Sequence, residues 1–270
     1  MHLYIPFVII FAILLFLSKS KSIYNSYHFN RYIQNIPQPM YTVKINGYSL
    51  NFRKKYLSLL QEIPNEKRQI LIKYTAIMNN YFINNDLANI AATKTNYIMS
   101  RNGLEKNLPF TLANVIVLNQ KFITKLSNKI DKTILETIIH EKLHIIQRSN
   151  QDKFDKFYPS VYPFLFKTLR LEELPTSLKT KHMTNPDNNF KIWLYKIKNS
   201  VYLPLLEYDN GKLTEVAYES RNLKQKVLLS DILDSKDAHS HPNEIFAYTI
   251  SKEILNNTLP KLTLEFLKTI

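Results

Sequence analysis

The sequence contains no cysteine and only 3 glycines in its 270 residues. Without cysteine the chain forms no disulfide and offers no thiolate ligand, so a metal ion would need histidine, aspartate or glutamate side chains. The scarcity of glycine disfavours Gly-rich nucleotide-binding loops, and neither a P-loop nor a G-x-G-x-x-G segment occurs. Any catalytic chemistry therefore has to come mainly from imidazole, carboxylate and hydroxyl groups.

The composition is that of an ordered chain with a strong positive charge. Hydrophobic residues make up 45% of the sequence, enough for a sizeable core, and the formal net charge is +14. Such a charge is compatible with binding to nucleic acid or to an anionic membrane surface. The lysines are nevertheless scattered rather than clustered, as in proteins from AT-rich genomes. We therefore expect no specific nucleic-acid partner, although the charge favours acidic partners in general.

The amino-terminal segment is almost wholly apolar from Leu3 to Leu17. It is either a cleaved signal peptide or an uncleaved membrane anchor. Only the amino terminus and His2 precede the run as positive groups, and Ser18-x-Ser20 is a weak cleavage site, so the anchor is favoured. Residues 1–18 are thus predicted to be a single-pass transmembrane helix.

Three segments are predicted along the chain: the anchor at 1–18, a juxtamembrane tether at 19–50 and a folded domain at 51–270. The tether is polar and dotted with aromatic residues. Lys19, Lys21 and Arg31 follow the anchor, so the positive-inside tendency places the folded domain on the cytoplasmic side.

The folded domain shows both helical and strand patterns, which predict an α+β fold with helices and a small mixed or antiparallel sheet. Helices are predicted from Pro64 to Phe82, from Lys132 to about Arg148 behind an Asp131 cap, from Pro242 to about Leu255, and in the tail from Lys261. Strands are predicted at Tyr41–Ile45, within Leu108–Leu118, and at Lys191–Ile197, Tyr202–Tyr208 and Lys212–Tyr218.

The strongest chemical signal is the segment His140-Glu141-Lys142-Leu143-His144, inside the predicted helix after Asp131. Residues four apart lie on one face of a helix, so His140 and His144 can direct two imidazoles at one metal ion. Glu141 lies one position farther round and can reach a water molecule at that metal. The helix is apolar on most sides, so these three polar residues need partners.

A catalytic zinc site needs a third protein ligand and an open coordination position. The leading candidate is Glu244, in the first turn of the predicted helix after Pro242. His239 and His241 are alternatives, and Asp187 is a more distant one. A plain capping role for Glu244 at its helix terminus is the competing interpretation.

The pattern His140-Glu141-x-x-His144 with a downstream glutamate on a second helix resembles the gluzincin group of zinc metallopeptidases. The wider setting is similar to zincin-like membrane proteins encoded by large DNA viruses. The further matching segments are Leu108-Pro109-Phe110-Thr111, Asn185-Pro186-Asp187 and His241-Pro242-Asn243-Glu244.

This resemblance implies a zincin-like metallopeptidase domain that holds Zn²⁺ through His140, His144 and Glu244 and acts on a peptide or protein substrate. It implies hydrolysis by a zinc-bound water, with Glu141 as the general base. It also implies that Val115–Leu118 is an edge strand, to which an extended peptide adds as a further strand.

The group that stabilises the oxyanion is left open among His239, His241, Tyr218 and Tyr248. Tyr248 follows Glu244 by four positions, where it either orients a ligand histidine or faces the substrate.

The main alternative is a catalytically inactive protein that keeps the zincin fold for a structural or interaction role in a virion or host membrane. The intact Glu141 favours the enzyme, because a purely structural zinc site has no use for a general base.

Overall fold

The structure, a computed structural model, describes residues 26–188, 191–209, 212–235 and 238–270. Within these residues the chain forms twelve α-helices and two β-sheets, which confirms the predicted α+β class. The predicted anchor at 1–18 lies outside the described residues. None of the helices in the described ranges combines the length and hydropathy that a bilayer crossing requires.

The elements are numbered here in chain order over the described residues. The helices are α1 (Tyr27–Asn35), α2 (Tyr41–Ile45), α3 (Phe52–Ser58), α4 (Asn65–Asn84), α5 (Ala88–Ala92), α6 (Gln120–Lys125), α7 (Lys132–Ser149), α8 (Gln151–Val161), α9 (Thr176–Lys179), α10 (Leu229–Leu233), α11 (Pro242–Asn256) and α12 (Lys261–Lys268). The strands are β1 (Leu60–Gln61), β2 (Asn96–Ser100), β3 (Phe110–Leu112), β4 (Val115–Asn119), β5 (Leu165–Arg170), β6 (Lys191–Ile197), β7 (Ser200–Asp209), β8 (Lys212–Glu219) and β9 (Asn222–Leu228).

The first sheet is small and mixed, with the strand order β1-β2-β4-β3. Strand β4 pairs in parallel with β2 and antiparallel with β3. The prediction that Val115–Leu118 forms the edge strand is therefore wrong, because β4 is an interior strand. The edge strand on this side of the sheet is β3, and the single strand predicted within Leu108–Leu118 is in fact β3 followed by β4.

Both faces of β4 are buried, which explains why its sequence is continuously apolar instead of alternating. Ile116 and Leu118 point into the larger apolar cluster, which includes side chains of α4 and α7. Val115 and Val117 point the opposite way, into a second cluster. The amino-terminal helices α1, α2 and α3 cover this second cluster.

Part of the predicted tether at 19–50 thus belongs to the folded body. Phe29 and Tyr32 of α1 are 0% and 1% exposed, and Ile45 of α2 is 4% exposed, all in the cluster behind β4. The aromatic residues of this stretch are core residues of the sheet's second face. The spacing of Phe29, Tyr32, Ile33 and Ile36 is that of one apolar helix face, and this is the sequence signal that could have placed α1 in the folded body.

The predicted strand at Tyr41–Ile45 is wrong, since this stretch is helix α2. Asn46 ends the helix in the left-handed conformation at φ 48°, with its N–H bonded to the carbonyl of Thr42. The β-branched residues favoured a strand locally, but packing of Ile45 into the second cluster outweighs that propensity.

The second sheet is an antiparallel meander in the order β5-β6-β7-β8-β9. The predicted strands at Lys191–Ile197, Tyr202–Tyr208 and Lys212–Tyr218 are confirmed as parts of β6, β7 and β8. In the loop between β5 and β6, His182 forms an isolated antiparallel β-bridge with Glu207 of β7. The continuation of this loop, Thr184 to Asn188, packs between the two sheets and reaches the site described below.

A buried ion pair fastens the amino-terminal helices to the rest of the fold. Lys44 lies 2.7 Å from Glu105, and both side chains are almost fully buried. Glu105 also accepts hydrogen bonds from Tyr32, at 2.5 Å, and from Tyr56, at 2.8 Å. Lys44 donates a further hydrogen bond to the carbonyl of Thr184. This one cluster therefore joins α1, α2 and α3 to the loop between the sheets.

We predict that Glu105→Gln destabilises the fold by about 3–5 kcal/mol, because it leaves the Lys44 ammonium buried without its counter-charge. Urea unfolding followed by circular dichroism measures this change. Lys54→Ala, at an exposed position of α3, is the control and should leave the midpoint nearly unchanged. Equal midpoints for Glu105→Gln and the unmodified protein would contradict a structural role for the pair.

Candidate metal centre

Two helices bring three potential ligands to one point. His140 and His144 lie one turn apart on α7, with their Nε2 atoms 2.9 Å from each other. Glu244 of α11 places its Oε2 atom 3.4 Å from His140 Nε2 and 3.5 Å from His144 Nε2. These three residues form a group that could hold a metal ion. The predicted ligand set is thus brought together across the 100 positions that separate His144 from Glu244 in the chain.

Local sequence fixes where the two helices begin. Asp131 caps α7 by accepting hydrogen bonds from the N–H groups of Thr133 and Ile134, at 2.8 and 3.2 Å. His241 caps α11, with Pro242 in the first turn. The packing of α7 against α11 then turns the histidines of α7 toward Glu244.

Gln147 connects the two helices and orients His144. Its Nε2 group donates to the carbonyl of Asn243, at 3.0 Å, and its Oε1 atom lies 2.7 Å from His144 Nδ1. An amide oxygen can only accept, so the proton of neutral His144 belongs on Nδ1. The Nε2 atom then presents its lone pair to the site, as a metal ligand must.

Asn185 holds the carboxylate of Glu244 from the other side. Its Nδ2 group donates to Glu244 Oε1 at 2.7 Å, while Oε2 faces the histidines. Sequence reasoning assigned no role to Asn185. The only signal was its place in the Asn185-Pro186-Asp187 segment, which reads locally as a turn.

The three ligand side chains shift one another's pKa values. Burial lowers the pKa of His144, but the carboxylates, Glu244 first, outweigh burial and raise that pKa to about 10. Burial raises the pKa of Glu244, but the two imidazoles hold it well below its usual range. Burial and the neighbouring His144 lower the pKa of His140. The cluster thus stabilises one positive charge at its centre.

Glu141 is buried beside this cluster and is only 4% exposed. Its Oε2 atom has no hydrogen-bond partner among the described residues. Burial first, and then the nearby Asp187 carboxylate, raise the pKa of Glu141 well above its usual value. An unpartnered buried carboxylate oxygen is costly, so Glu141 would gain a partner from a water molecule or ligand that enters the site.

The residues present fit a zinc ion. Two imidazole nitrogens and one carboxylate oxygen are a donor set that catalytic zinc sites use, and all three residues line an open cleft. Glu141, whose Oε2 atom is one of the buried polar atoms without a hydrogen-bond partner among the described residues, also lines this cleft. A structural zinc site would instead be closed by four protein ligands.

The cleft is open to solvent and, with the space at its mouth included, has about 990 Å³ of empty volume. Its floor is α7, with Thr133, Glu136, Thr137, His140 and Glu141, and its walls come from three other regions. These walls are formed by Leu108 and Pro109 before β3, Phe122 of α6, and Tyr248 and Ser251 of α11, with Asn185 and Asp187 at the inner end.

Asp187 lines the cleft but is bound to other groups. Its Oδ1 atom accepts hydrogen bonds from the N–H and hydroxyl of Thr111 and lies 3.3 Å from an Arg148 guanidinium nitrogen. The structure therefore gives Asp187 an ion-pair partner and does not add it to the ligand group. Arg148 and Thr111 are further members of this network that sequence reasoning missed.

The same network occupies the edge of the first sheet. The N–H of Thr111 is bonded to Asp187, and Arg148 donates to the carbonyls of Thr111 and Ala113, at 3.3 and 2.7 Å. Pro109, two residues earlier, has no N–H to offer. An extended peptide therefore finds few free backbone groups along this part of β3, which differs from the strand addition that the resemblance implied.

Of the four predicted oxyanion donors, only Tyr248 lines the cleft. Its ring lies edge-on to His140, with centroids 4.7 Å apart, and stacks on His239 at 4.5 Å. His239 itself lies 3.5 Å from Glu215. Tyr218 belongs to β8 and donates to Glu207 at 2.5 Å.

His241 is buried behind the site and does not line the cleft. Its Nδ1 atom accepts the N–H of Asn243 at 3.1 Å, and burial lowers its pKa to about 3. It faces a separate small cavity together with His182 and Thr184. The structure thus assigns His241 to capping α11, and this placement does not support a donor role in the cleft.

No protein-family model, curated protein or solved structure matches this chain. The chemistry of the centre therefore has to be inferred from its own geometry.

We predict that Asn185→Ala weakens metal binding about 10- to 100-fold, because Glu244 loses the hydrogen bond that orients its carboxylate. Competition with a chromophoric chelator measures the affinity. Asn84→Ala, at the exposed end of α4, is the matched control. Unchanged affinity in Asn185→Ala would show that the packing of α11 alone orients Glu244.

Proposed function

We propose that this chain is a zinc metallopeptidase that hydrolyses peptide bonds, with Glu141 as the general base. The observation that carries the proposal is an unpartnered, buried Glu141 oxygen beside three converging ligands at the floor of an open cleft. His140, His144 and Glu244 would hold the ion. When bound, zinc polarises the scissile carbonyl and lowers the pKa of a coordinated water.

Glu141 performs the proton transfers. Its carboxylate takes a proton from the attacking water as the oxygen adds to the scissile carbonyl carbon. It then donates that proton to the amine nitrogen as the C–N bond breaks, so one water is consumed and one acid and one amine are formed. The burial of Glu141 suits this work, because it raises the pKa of the side chain and makes the carboxylate a stronger base.

Tyr248 is the group of this chain best placed to bind the developing oxyanion. It lines the cleft next to His140, and its side chain remains 42% exposed, so a substrate carbonyl can approach it. A hydroxyl donor near the attacked carbonyl stabilises the charge that appears there in the transition state.

The proposal includes attachment to a membrane through residues 1–18, and this part rests on the apolar amino-terminal sequence alone. The alternative is an inactive zincin-fold protein of a virion or host membrane. Three ligands with an open fourth position, and a retained base, favour turnover over a structural role.

We predict that Glu141→Gln retains bound zinc and lowers the rate of peptide cleavage by about 10²- to 10⁴-fold, since an amide cannot take up the proton of water. A quenched-fluorescence peptide library measures the rate, and elemental analysis measures the zinc. Chelation should abolish cleavage by the unmodified protein, and added zinc should restore it.

The matched control is Glu66→Gln, the same change at an exposed position in the first turn of α4. It should cleave at the unmodified rate. If Glu141→Gln cleaves as fast as this control, the proposed mechanism is refuted. If neither protein cleaves although zinc is bound, the inactive alternative is supported.

A further inference from the structure

The cleft of this basic protein is lined with acidic groups. The chain carries a net charge of +14, yet the lining residues that the structure describes include four carboxylates and no lysine or arginine. The four are Glu136, Glu141, Asp187 and Glu244. Because lysine and arginine are absent from this lining, a carboxylate there that is not already paired can attract a cationic group of a ligand.

Only one of these carboxylates lacks a partner or an assigned task. Glu244 belongs to the ligand group, Glu141 is the proposed base, and Asp187 is paired with Arg148. Glu136 makes no ion pair or hydrogen bond with any described residue, although it is partly buried in the cleft floor. Its charge is therefore available to a ligand.

Glu136 lies at a useful distance from the reacting centre. It precedes His140 by four residues on the same face of α7, which corresponds to about 6 Å along the helix axis. An extended peptide advances about 3.3–3.6 Å per residue. A side chain of the substrate one or two residues from the scissile bond can therefore meet Glu136.

Two apolar residues line the same cleft as Glu136, and such a lining suits a long side chain with a charged tip. Leu108 is 51% exposed and Phe122 is partly buried, and both border the cleft on the side of α6 and β3. Lysine and arginine lay their methylene stems along apolar surfaces of this kind and extend the charge to an acidic partner.

Because the backbone groups at the edge of β3 are occupied, recognition of a substrate depends more on its side chains. Asp187 and Arg148 already bind the backbone groups of Thr111 and Ala113. A substrate would gain little from strand pairing there, so its side chains must provide more of the specificity.

From these observations we infer that the cleft selects peptides with a lysine or arginine one or two residues from the scissile bond, and that Glu136 is the residue that recognises it. The inference rests on the proposed peptidase function and adds its substrate class.

The test uses the zinc-loaded full chain and pairs of peptides that differ only in carrying lysine or glutamate at each of those positions. The unmodified protein should favour the lysine peptide by about tenfold in kcat/KM, as expected for loss of a partly buried charged contact. Glu136→Gln should remove most of this preference, and Glu136→Lys should reverse it. Glu66→Lys, the same charge change at an exposed position away from the cleft, should keep it.

A binding measurement separates this inference from the proposed chemistry. The affinity of zinc-loaded Glu141→Gln for the same peptides is compared with that of the double variant that also carries Glu136→Gln. Preferential binding of the lysine peptide only while Glu136 is present supports the inference, even if the unmodified protein shows no turnover and the peptidase proposal fails.

Cleavage without a charge preference, or a preference that survives Glu136→Lys, overturns the inference and leaves the peptidase proposal intact. If the protein shows no turnover and no preferential binding of the lysine peptide, both the inference and the peptidase proposal are overturned.

Discussion

The arrangement of this protein depends on the mutual orientation of α7 and α11. Three ligand atoms, from His140, His144 and Glu244, converge on one point in a buried place, where they need a positive charge between them. The hydrogen bonds of Gln147 to His144 and to the backbone of α11 keep the two helices in register around this point. Binding of a metal ion there would add to the free energy of unfolding, because the ion binds the folded chain.

The loop between the two sheets is the second support of the centre. Asn185 holds Glu244, and Asp187 joins β3 to α7 through Thr111 and Arg148. Each of these contacts satisfies a buried polar group, so the loop cannot move without leaving several of them unpaired. As a consequence, the N–H and carbonyl groups of Thr111 in β3 are not available to a peptide. The free charge in the cleft, on Glu136, then becomes the natural place for selectivity.

The amino-terminal helices have a structural role that reaches the same loop. They cover the face of the first sheet to which Val115 and Val117 point, and Lys44 binds both Glu105 and the carbonyl of Thr184. Thr184 adjoins Asn185, so the segment that follows the predicted anchor is linked to Glu244 through two hydrogen bonds, from Lys44 to Thr184 and from Asn185 to Glu244. Removal of these helices would expose one face of the sheet and also loosen the support of the ligand.

The sequence by itself determined the elements that depend on neighbouring residues. The Asp131 cap, the spacing of His140 and His144, and the Pro242 start of the Glu244 helix are all local patterns, and each predicted its element correctly. The α+β class and three of the five strands of the second sheet, β6, β7 and β8, followed from the same kind of periodicity, whereas β5 and β9 were not predicted. Only the tertiary structure decided which strand lies at the sheet edge, which side of β4 the amino-terminal helices cover, and what Asn185 and Asp187 bind. These features depend on contacts between residues far apart in the chain. Such contacts do not produce a local or periodic pattern in the sequence.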